Sequence, residues 1–135
     1  MRVRNVKNAD AFLASYPALV ISNPSLLKGK WRKFFKNDRP IFIEIGMGKA
    51  KFIIEHALRN KDINYIGIEK DTSIVFKALT KYLDTLEEKE IELKNLVFLN
   101  IDACNICIGK CIENCCTDIS YIFICKTETV NCCKN

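Results

Sequence analysis

Residues 41–52 read IFIEIGMGKAKF, and this stretch decides the fold. Ile41–Ile45 has the length and the apolar composition of a buried strand, and it runs directly into a Gly-x-Gly turn formed by Gly46 and Gly48. A helical pattern begins close behind the turn, near Lys49. A strand, a tight glycine turn and a helix in this order are typical of the first unit of a nucleotide-binding α/β sheet.

The alternation of strands and helices continues along the chain. We predict a first helix over 49–60 and a second from Asp71 or Thr72 to about Leu86. Further strands are predicted over residues 64–69, 96–101 and 119–124. Strands separated by helices at these spacings are joined by crossovers into a parallel sheet, so we predict the doubly wound α/β class.

The spacing of the glycines excludes two familiar phosphate-binding loops. A dinucleotide-binding turn carries a third glycine where this chain has Lys51, and a Walker A loop carries Ser or Thr where this chain has Ala50. What remains is E-x-G-x-G, with Glu44 two residues before the first glycine. A carboxylate there would repel a pyrophosphate but accept hydrogen bonds from ammonium or hydroxyl groups. We therefore expect a nucleotide-like, cationic ligand, and S-adenosylmethionine meets that description.

Two further acids follow the next two predicted strands. Glu69 ends the second strand, 21 residues beyond Gly48, close to the offset at which an acid meets a ribose diol in such folds. Asp102 follows the third strand, where it can accept a hydrogen bond from an adenine amino group. The carboxyl ends of parallel strands meet at one edge of the sheet. We therefore predict one cofactor site that contains Glu44, Gly46, Gly48, Glu69 and Asp102.

Positive charge is concentrated in the first part of the chain. Residues 1–40 hold nine Lys and Arg against two Asp, whereas the whole chain has a net charge of +5. We interpret residues 1–40 as a basic arm that contacts nucleic acid, and the alternative is a solvated surface segment. Trp31, Phe34 and Phe35 lie among these cations, and we expect them to pack the arm on the sheet rather than to stack on RNA bases.

The cysteines are confined to the other end of the chain. All eight lie within the last 32 residues: Cys104, Cys107, Cys111, Cys115, Cys116, Cys125, Cys132 and Cys133. The first four would share one face of a helix and form an unusual metal site, but their spacing matches neither ferredoxins nor zinc knuckles. The interpretation we favour is a tail out of register with an ancestral gene, through a frameshift or a degenerate end, and we assign no metal ligands.

The beginning of the chain lacks the apolar segment of a secretory signal, and no apolar run has the roughly 20 residues of a membrane span. We therefore expect a cytoplasmic protein without membrane contact. The cytoplasm is a reducing compartment that disfavours disulfides. A monomer or a weak dimer is expected.

Residues 1–103 resemble the bacterial tRNA (guanine-N7)-methyltransferases. The stretches that carry the resemblance are MRVRN (1–5), ISNPSLLKGKW (21–31), IFIEIGMGKAKF (41–52), DINYIGIE (62–69) and LNIDA (99–103). The resemblance implies the class I methyltransferase fold, a Rossmann-like parallel sheet, with S-adenosyl-L-methionine as the methyl donor and tRNA as the partner. It matches Glu44, Glu69 and Asp102 to the acids that contact the cofactor in the family, and Gly46 and Gly48 to its glycine turn.

The chain departs from the family at two places. Ala50 stands where the family usually carries glycine, and we expect its methyl group to crowd the methionine end of the cofactor and to weaken binding. The larger departure comes after Ala103. The fourth strand of the family is retained at 118–122, but near Lys126 the S-D-P-W-P-K motif, whose aspartate is thought to act at the target guanine, is missing. No catalytic residue is assigned for that reason.

These observations predict a C-terminally incomplete methyltransferase fold with three parts. They are a basic N-terminal arm at 1–40, a partial cofactor-binding α/β domain at 41–124 and a cysteine-containing tail at 125–135. The function implied by the resemblance is methylation of guanine N7 in tRNA, and we expect that this chain, as it stands, does not methylate tRNA at a useful rate. The alternatives are a cofactor-binding remnant without catalysis and a cysteine-rich metal-binding protein.

Overall fold

The computed structural model describes residues 6–27 and 29–103, and it describes the backbone alone for a strand at 121–124. The helices are α1 (Ala9–Ala14), a 3-10 helix (Pro24–Leu27), α2 (Trp31–Phe35), α3 (Lys51–Arg59) and α4 (Thr72–Lys89). The strands are β1 (Ile41–Ile45), β2 (Asn64–Ile68), β3 (Leu96–Leu99) and β4 (Tyr121–Ile124). Strands and helices alternate from β1 to β3, as the sequence predicts.

The four strands form one parallel sheet in the order β3-β2-β1-β4. In the centre, Ile41 lies opposite Asn64 and Ile45 lies opposite Ile68, so β1 and β2 pair over their whole lengths. Each strand that follows a helix returns parallel to the one before it, which is the arrangement that crossover connections produce. The predicted α/β class with a parallel, Rossmann-like sheet is confirmed.

The boundaries of the elements differ from the predicted ones by a few residues. Helix α3 begins at Lys51 instead of 49 because Ala50 adopts a left-handed conformation, with φ 66°. Helix α4 is capped by Asp71, whose Oδ1 accepts from the backbone N–H groups of Ser73 (2.9 Å) and Ile74 (3.2 Å). The predicted start of the helix at Asp71 or Thr72 is therefore confirmed, with Asp71 as its N-cap, and the helix continues past Leu86 to Lys89.

The sheet separates two apolar clusters because alternate residues of a strand face opposite sides. On one face, Trp31 and Phe35 of α2 cover a layer of strand residues: Ile41, Ile43, Ile45, Ile66, Ile68, Val97 and Leu99. On the other face, Tyr65 and Phe98 pack under α1, α3 and α4. The sheet is thus covered on both sides, as parallel sheets generally are.

The segment before β1 packs closely on this core. Phe98 donates its backbone N–H to the Leu19 carbonyl (2.7 Å), and Ile21 donates to the Phe98 carbonyl (3.0 Å), so this segment pairs with β3. Trp31 is 5 % exposed and belongs to the cluster under the sheet. The predicted packing of the aromatic residues of α2 is confirmed. The division into an arm at 1–40 and a domain at 41–124 stays a prediction.

Several sequence-based interpretations concern residues that the structure does not describe. All eight cysteines and Lys126 lie outside the described residues, and the metal-site alternative lies there with them. None of the helices in the described ranges is both long enough and apolar enough to cross a membrane.

Buried amides close the edge of the sheet at which the strands begin. Asn95, which precedes β3, donates from its Nδ2 to three backbone carbonyls, those of Ala57 (3.1 Å), Asn60 (3.1 Å) and Ile63 (3.0 Å). Asn64 at the start of β2 donates from Nδ2 to Oδ1 of Asn37 (2.7 Å). These bonds tie the loops before β1, β2 and β3 together.

At the opposite edge, the turn after β1 is fastened to β2 by packing. Met47, the residue between the two turn glycines, is buried, and its Sδ occupies the space that a Cβ of Gly67 would take. That hypothetical Cβ would also lie 3.3 Å from Ile53 Cδ1 and 3.3 Å from Phe98 Cδ1. A glycine inside a strand often marks such a close approach. Gly67 therefore makes the room into which the turn docks.

We predict that Gly67→Ala lowers the free energy of unfolding by about 1–3 kcal/mol, the usual effect of forcing a methyl group into a packed core. Urea denaturation of the wild type and the variant measures the loss. The control places the same substitution in a Met47→Ala background, where the thioether no longer fills the space. The loss should be smaller there, and an equal loss in both backgrounds would contradict the assigned contact.

Candidate functional site

The predicted site begins at the turn after β1, whose backbone conformation requires glycine. Gly46 has φ 73° and Gly48 has φ 59°, both in the left-handed region that side chains disfavour. The backbone N–H groups of Gly46 (2.9 Å) and Met47 (3.0 Å) donate to one acceptor, the carbonyl of Ile68 at the end of β2. Apart from Gly48 itself and its two chain neighbours, no described residue has an atom within 4 Å of the position that a Cβ of Gly48 would take. A ligand can therefore approach the turn backbone closely.

Ala50 ends the turn in a conformation that also suits glycine. Its φ of 66° costs an L-residue about 1–2 kcal/mol relative to a right-handed conformation. The residue is fully buried in the cluster under α3, and its N–H donates to the Met47 carbonyl (3.0 Å). The departure from the glycine of the resembling family thus places strain in the backbone of the turn. The predicted crowding of a cofactor by its methyl group stays a prediction.

Glu44 is the acid of the E-x-G-x-G pattern, and it lies inside the fold. It is the fourth residue of β1, it is 5 % exposed, and it stands opposite Gly67 in the sheet register. Its Oε2 is buried and has no hydrogen-bond partner among the described residues. Burial raises the pKa of Glu44 from its ordinary value of 4.5 to about 7. An unpaired, desolvated carboxylate oxygen is a strong acceptor for a donor that a ligand supplies.

Glu69 directly follows β2 and is also buried, with 6 % of its surface exposed. Its backbone N–H donates to the Leu99 carbonyl (3.1 Å), which fixes the end of β2 against β3. Its Oε2 accepts the backbone N–H of Lys70 (3.0 Å). The carboxylate is therefore held at the same strand edge as the glycine turn.

Asp102 follows β3 by three residues and is exposed. The strand order β3-β2-β1 places Asp102, Glu69 and Glu44 on three neighbouring strands, at or just beyond their carboxyl ends. Neighbouring strands lie about 4.8 Å apart, so this row spans on the order of 10 Å along the sheet edge. The structure thus brings all five predicted residues to one edge, and their assignment as cofactor contacts stays a prediction.

Asn100 is a positioning residue that the sequence analysis missed. Its amide, oriented to satisfy its neighbours, donates to the carbonyls of Glu69 (3.2 Å) and Lys70 (3.2 Å) and accepts from the Thr72 hydroxyl (3.0 Å). It therefore joins the end of β3 to the loop that carries Glu69 and to the first turn of α4. An asparagine directly after an apolar strand was the available signal, and alone it does not distinguish a positioning role from a solvated loop.

The described residues hold no cluster suited to a metal ion. Over these ranges, no three His, Cys, Asp or Glu side chains gather closely enough to coordinate one.

Comparison with known proteins identifies the family. A family model described as "putative methyltransferase" matches residues 38–124. The chain belongs to this methyltransferase family. The match contains β1 to β4 and all five residues of the predicted site.

Individual relatives carry a more specific name. The chain is 48 % identical over 103 residues to a tRNA (guanine-N(7)-)-methyltransferase of Geobacillus sp. (strain WCH70). The aligned region covers 76 % of this chain and 44 % of the relative. A protein of the same name from Bacillus subtilis (strain 168) is 48 % identical, with 76 % and 46 % covered. One from Streptococcus pyogenes serotype M6 is 45 % identical over 106 residues, with 78 % and 47 % covered. The chain spans about half the length of the curated relatives it matches.

We predict that Glu44→Gln stabilises the unliganded protein in a pH-dependent manner. Because folding raises the pKa of Glu44, the folded state prefers the protonated acid, and stability is lost as pH rises from about 4.5 through 7. At pH 8 the variant should therefore gain about 1–3 kcal/mol in free energy of unfolding compared with its effect at pH 4.5. Urea denaturation at both pH values measures this difference.

The exposed acid Glu92 provides the control for this experiment, since Glu92→Gln removes the same charge at the surface. The change in stability that this control shows at each pH is subtracted from that of Glu44→Gln, so that the remainder belongs to the buried position. A Glu44→Gln effect that does not depend on pH would contradict the assigned desolvation.

Proposed function

We propose that this protein transfers a methyl group from S-adenosylmethionine to N7 of a guanine in tRNA. The observation that carries the proposal is the buried carboxylate of Glu44, which keeps an unpaired oxygen beside the glycine turn of a methyltransferase fold. The names of the relatives supply the acceptor atom and the RNA class. We further propose that tRNA is the partner and that the cytoplasm is the location.

The residues at the strand edge fit the cofactor in charge and in hydrogen-bonding capacity. Glu44 would accept from an ammonium or hydroxyl group of the cofactor, because its free oxygen lacks the donor that a buried carboxylate needs. Glu69 would accept from the two ribose hydroxyls, since a carboxylate has two oxygens for vicinal donors. Asp102 would accept from the adenine amino group. The left-handed turn at Gly46 and Gly48 leaves room for the cofactor to lie against the backbone.

The cofactor supplies a methyl group on a sulfonium, which is a good leaving group. Guanine N7 has a lone pair and bears no hydrogen, so the described residues need not remove a proton to create the nucleophile. Their task is to hold the donor in one orientation, and orientation alone accounts for a large share of the acceleration in such transfers. The acid thought to act at the guanine in the resembling family would fall near Lys126, and we assign no catalytic residue.

Ionisation of Glu44 links cofactor binding to pH. A cationic group near the carboxylate favours its charged form, so binding lowers the pKa of Glu44 from about 7 and strengthens as pH rises through this value. The energetic penalty of the buried charge in the free protein is then offset in the complex.

Calorimetry with S-adenosylmethionine and with its demethylated product tests the cofactor assignment. We predict that Glu69→Ala weakens binding of both at least tenfold, because hydrogen bonds to a charged group contribute about 1.5–3 kcal/mol. Glu69→Gln, which keeps an acceptor for the Lys70 N–H, separates this effect from a loss of folding. Glu92→Gln, at an exposed position, should bind as the wild type does.

Equal heats from the wild type and both Glu69 variants would refute the assignment, as would a wild type that binds neither compound. Incubation with labelled S-adenosylmethionine and unmodified tRNA then locates the methyl group, and the expected product is N7-methylguanosine, formed slowly. A label in another nucleoside would contradict the proposed acceptor atom.

A further inference from the structure

A basic concavity lies away from the edge of the sheet that carries Glu44, Glu69 and the glycine turn, which we call the cofactor edge. It is formed by α2 and the connection to β1, and its lining residues are Arg32, Lys33, Lys36, Asn37 and Asp38. Both lysines are exposed, and Arg32 is exposed as well, so three cations face solvent here against one acid. Strong positive charge in a surface depression attracts phosphate groups.

The backbone of this concavity is fixed by hydrogen bonds. The N–H groups of Lys36 and Asn37 (3.3 Å for Asn37) donate to the Arg32 carbonyl, and Lys36 ends α2 in a left-handed conformation with φ 60°. The Asn37 side chain accepts from Nδ2 of the buried Asn64 (2.7 Å). Lys36 therefore stands on a turn that is anchored to the first residue of β2, and Arg32 and Lys33 lie on the helix that leads into this turn.

These contacts place the concavity at the edge where the strands begin. Arg39, two residues before β1, donates from Nη1 to the carbonyl of Lys61 (2.8 Å), which precedes β2. The glycine turn begins at Gly46, seven residues after Arg39. At about 3.3 Å per residue along a strand, the two edges are on the order of 20 Å apart. The concavity is therefore separate from the cofactor edge.

We propose that this concavity binds the phosphate backbone of the tRNA, at the edge of the sheet opposite the proposed cofactor site. The proposal rests on the proposed function, and it adds how the substrate is recognised. A guanine at the carboxyl edge and a phosphate at the opposite edge are reached together by a folded RNA but not by a single nucleoside. The two separated contacts therefore favour an RNA chain over a single nucleoside. Lysine suits the remote contact because it binds phosphate as a point charge without reading sequence.

The exposed side of α4 offers a contrast within the same molecule. Lys81 and Lys89 are exposed there, but acids surround them: Asp84, Glu87, Glu88 and Glu90. Nearby carboxylates oppose the approach of phosphate, so this side of α4 is not expected to contact RNA. It provides the matched control, since it carries two exposed lysines on a well-formed helix.

The test compares Lys33→Gln/Lys36→Gln with Lys81→Gln/Lys89→Gln in the full chain, each variant losing two positive charges. Affinity for an unmodified tRNA transcript is measured by fluorescence anisotropy at several salt concentrations. Each phosphate contact contributes about 0.7–0.9 to the slope of log affinity against log salt. The variant at the concavity should lose about 1–2 in slope and bind tRNA at least tenfold more weakly at low salt, whereas the control should keep the slope of the wild type.

Cofactor binding by both variants is measured in parallel and should match the wild type, because the concavity lies at the other edge. Equal slopes for the two variants would overturn the remote contact and leave the proposed function standing. A wild type that does not bind tRNA would overturn both. The wild type could also bind tRNA but no cofactor. If the concavity variant then loses tRNA affinity, the remote contact is supported and only the proposed function is contradicted.

Discussion

The carbonyl of Ile68 accepts the N–H groups of both Gly46 (2.9 Å) and Met47 (3.0 Å), and the arrangement of the site depends on this pair of bonds. These two hydrogen bonds turn the chain back onto β2 directly after β1, so that the Met47 side chain occupies the space beside Gly67. The turn can take this path only because the glycines accept left-handed conformations. The same path leads into α3 and sets Glu44, the turn and Glu69 side by side at one strand edge. Packing between two strands thus positions the residues that we propose contact the cofactor.

The site is also where the fold departs from what stability alone favours. Glu44 places a carboxylate in the core with one oxygen unpaired, and Ala50 holds a left-handed conformation at the start of α3. Each feature costs free energy, on the order of one to a few kcal/mol. Elsewhere in the described residues, isoleucines line one face of β1 and β2 and a capped helix follows β2, while the buried side-chain oxygens of Asn64 and Asn95 also lack partners there. Glu44 and Ala50 both lie next to the turn of the predicted site, and features that cost stability often occur at functional sites.

Much of this arrangement follows from short-range patterns in the sequence. The strands, the helices and the Asp71 cap could be predicted because period and capping are local properties. The common location of Glu44, Glu69 and Asp102 could be predicted because the carboxyl ends of parallel strands meet at one edge of the sheet. The contact of Met47 with Gly67, the role of Asn100 and the anchored basic concavity were missed, since each joins residues from different strands or loops. The start of α3 was placed two residues early for a similar reason, because the conformation of Ala50 is imposed by the docked turn.

We propose that Glu44 is a desolvated acid that accepts a hydrogen bond from the bound cofactor, and its titration tests this most directly. Carbon-13 NMR of glutamate-labelled protein, with the Glu44 carboxyl signal assigned through Glu44→Gln, measures its pKa with and without S-adenosylhomocysteine. The account predicts a pKa near 7 in the free protein and a clear decrease when the ligand binds. A pKa near 4.5 in the free protein, or one that the bound ligand leaves unchanged, would contradict it.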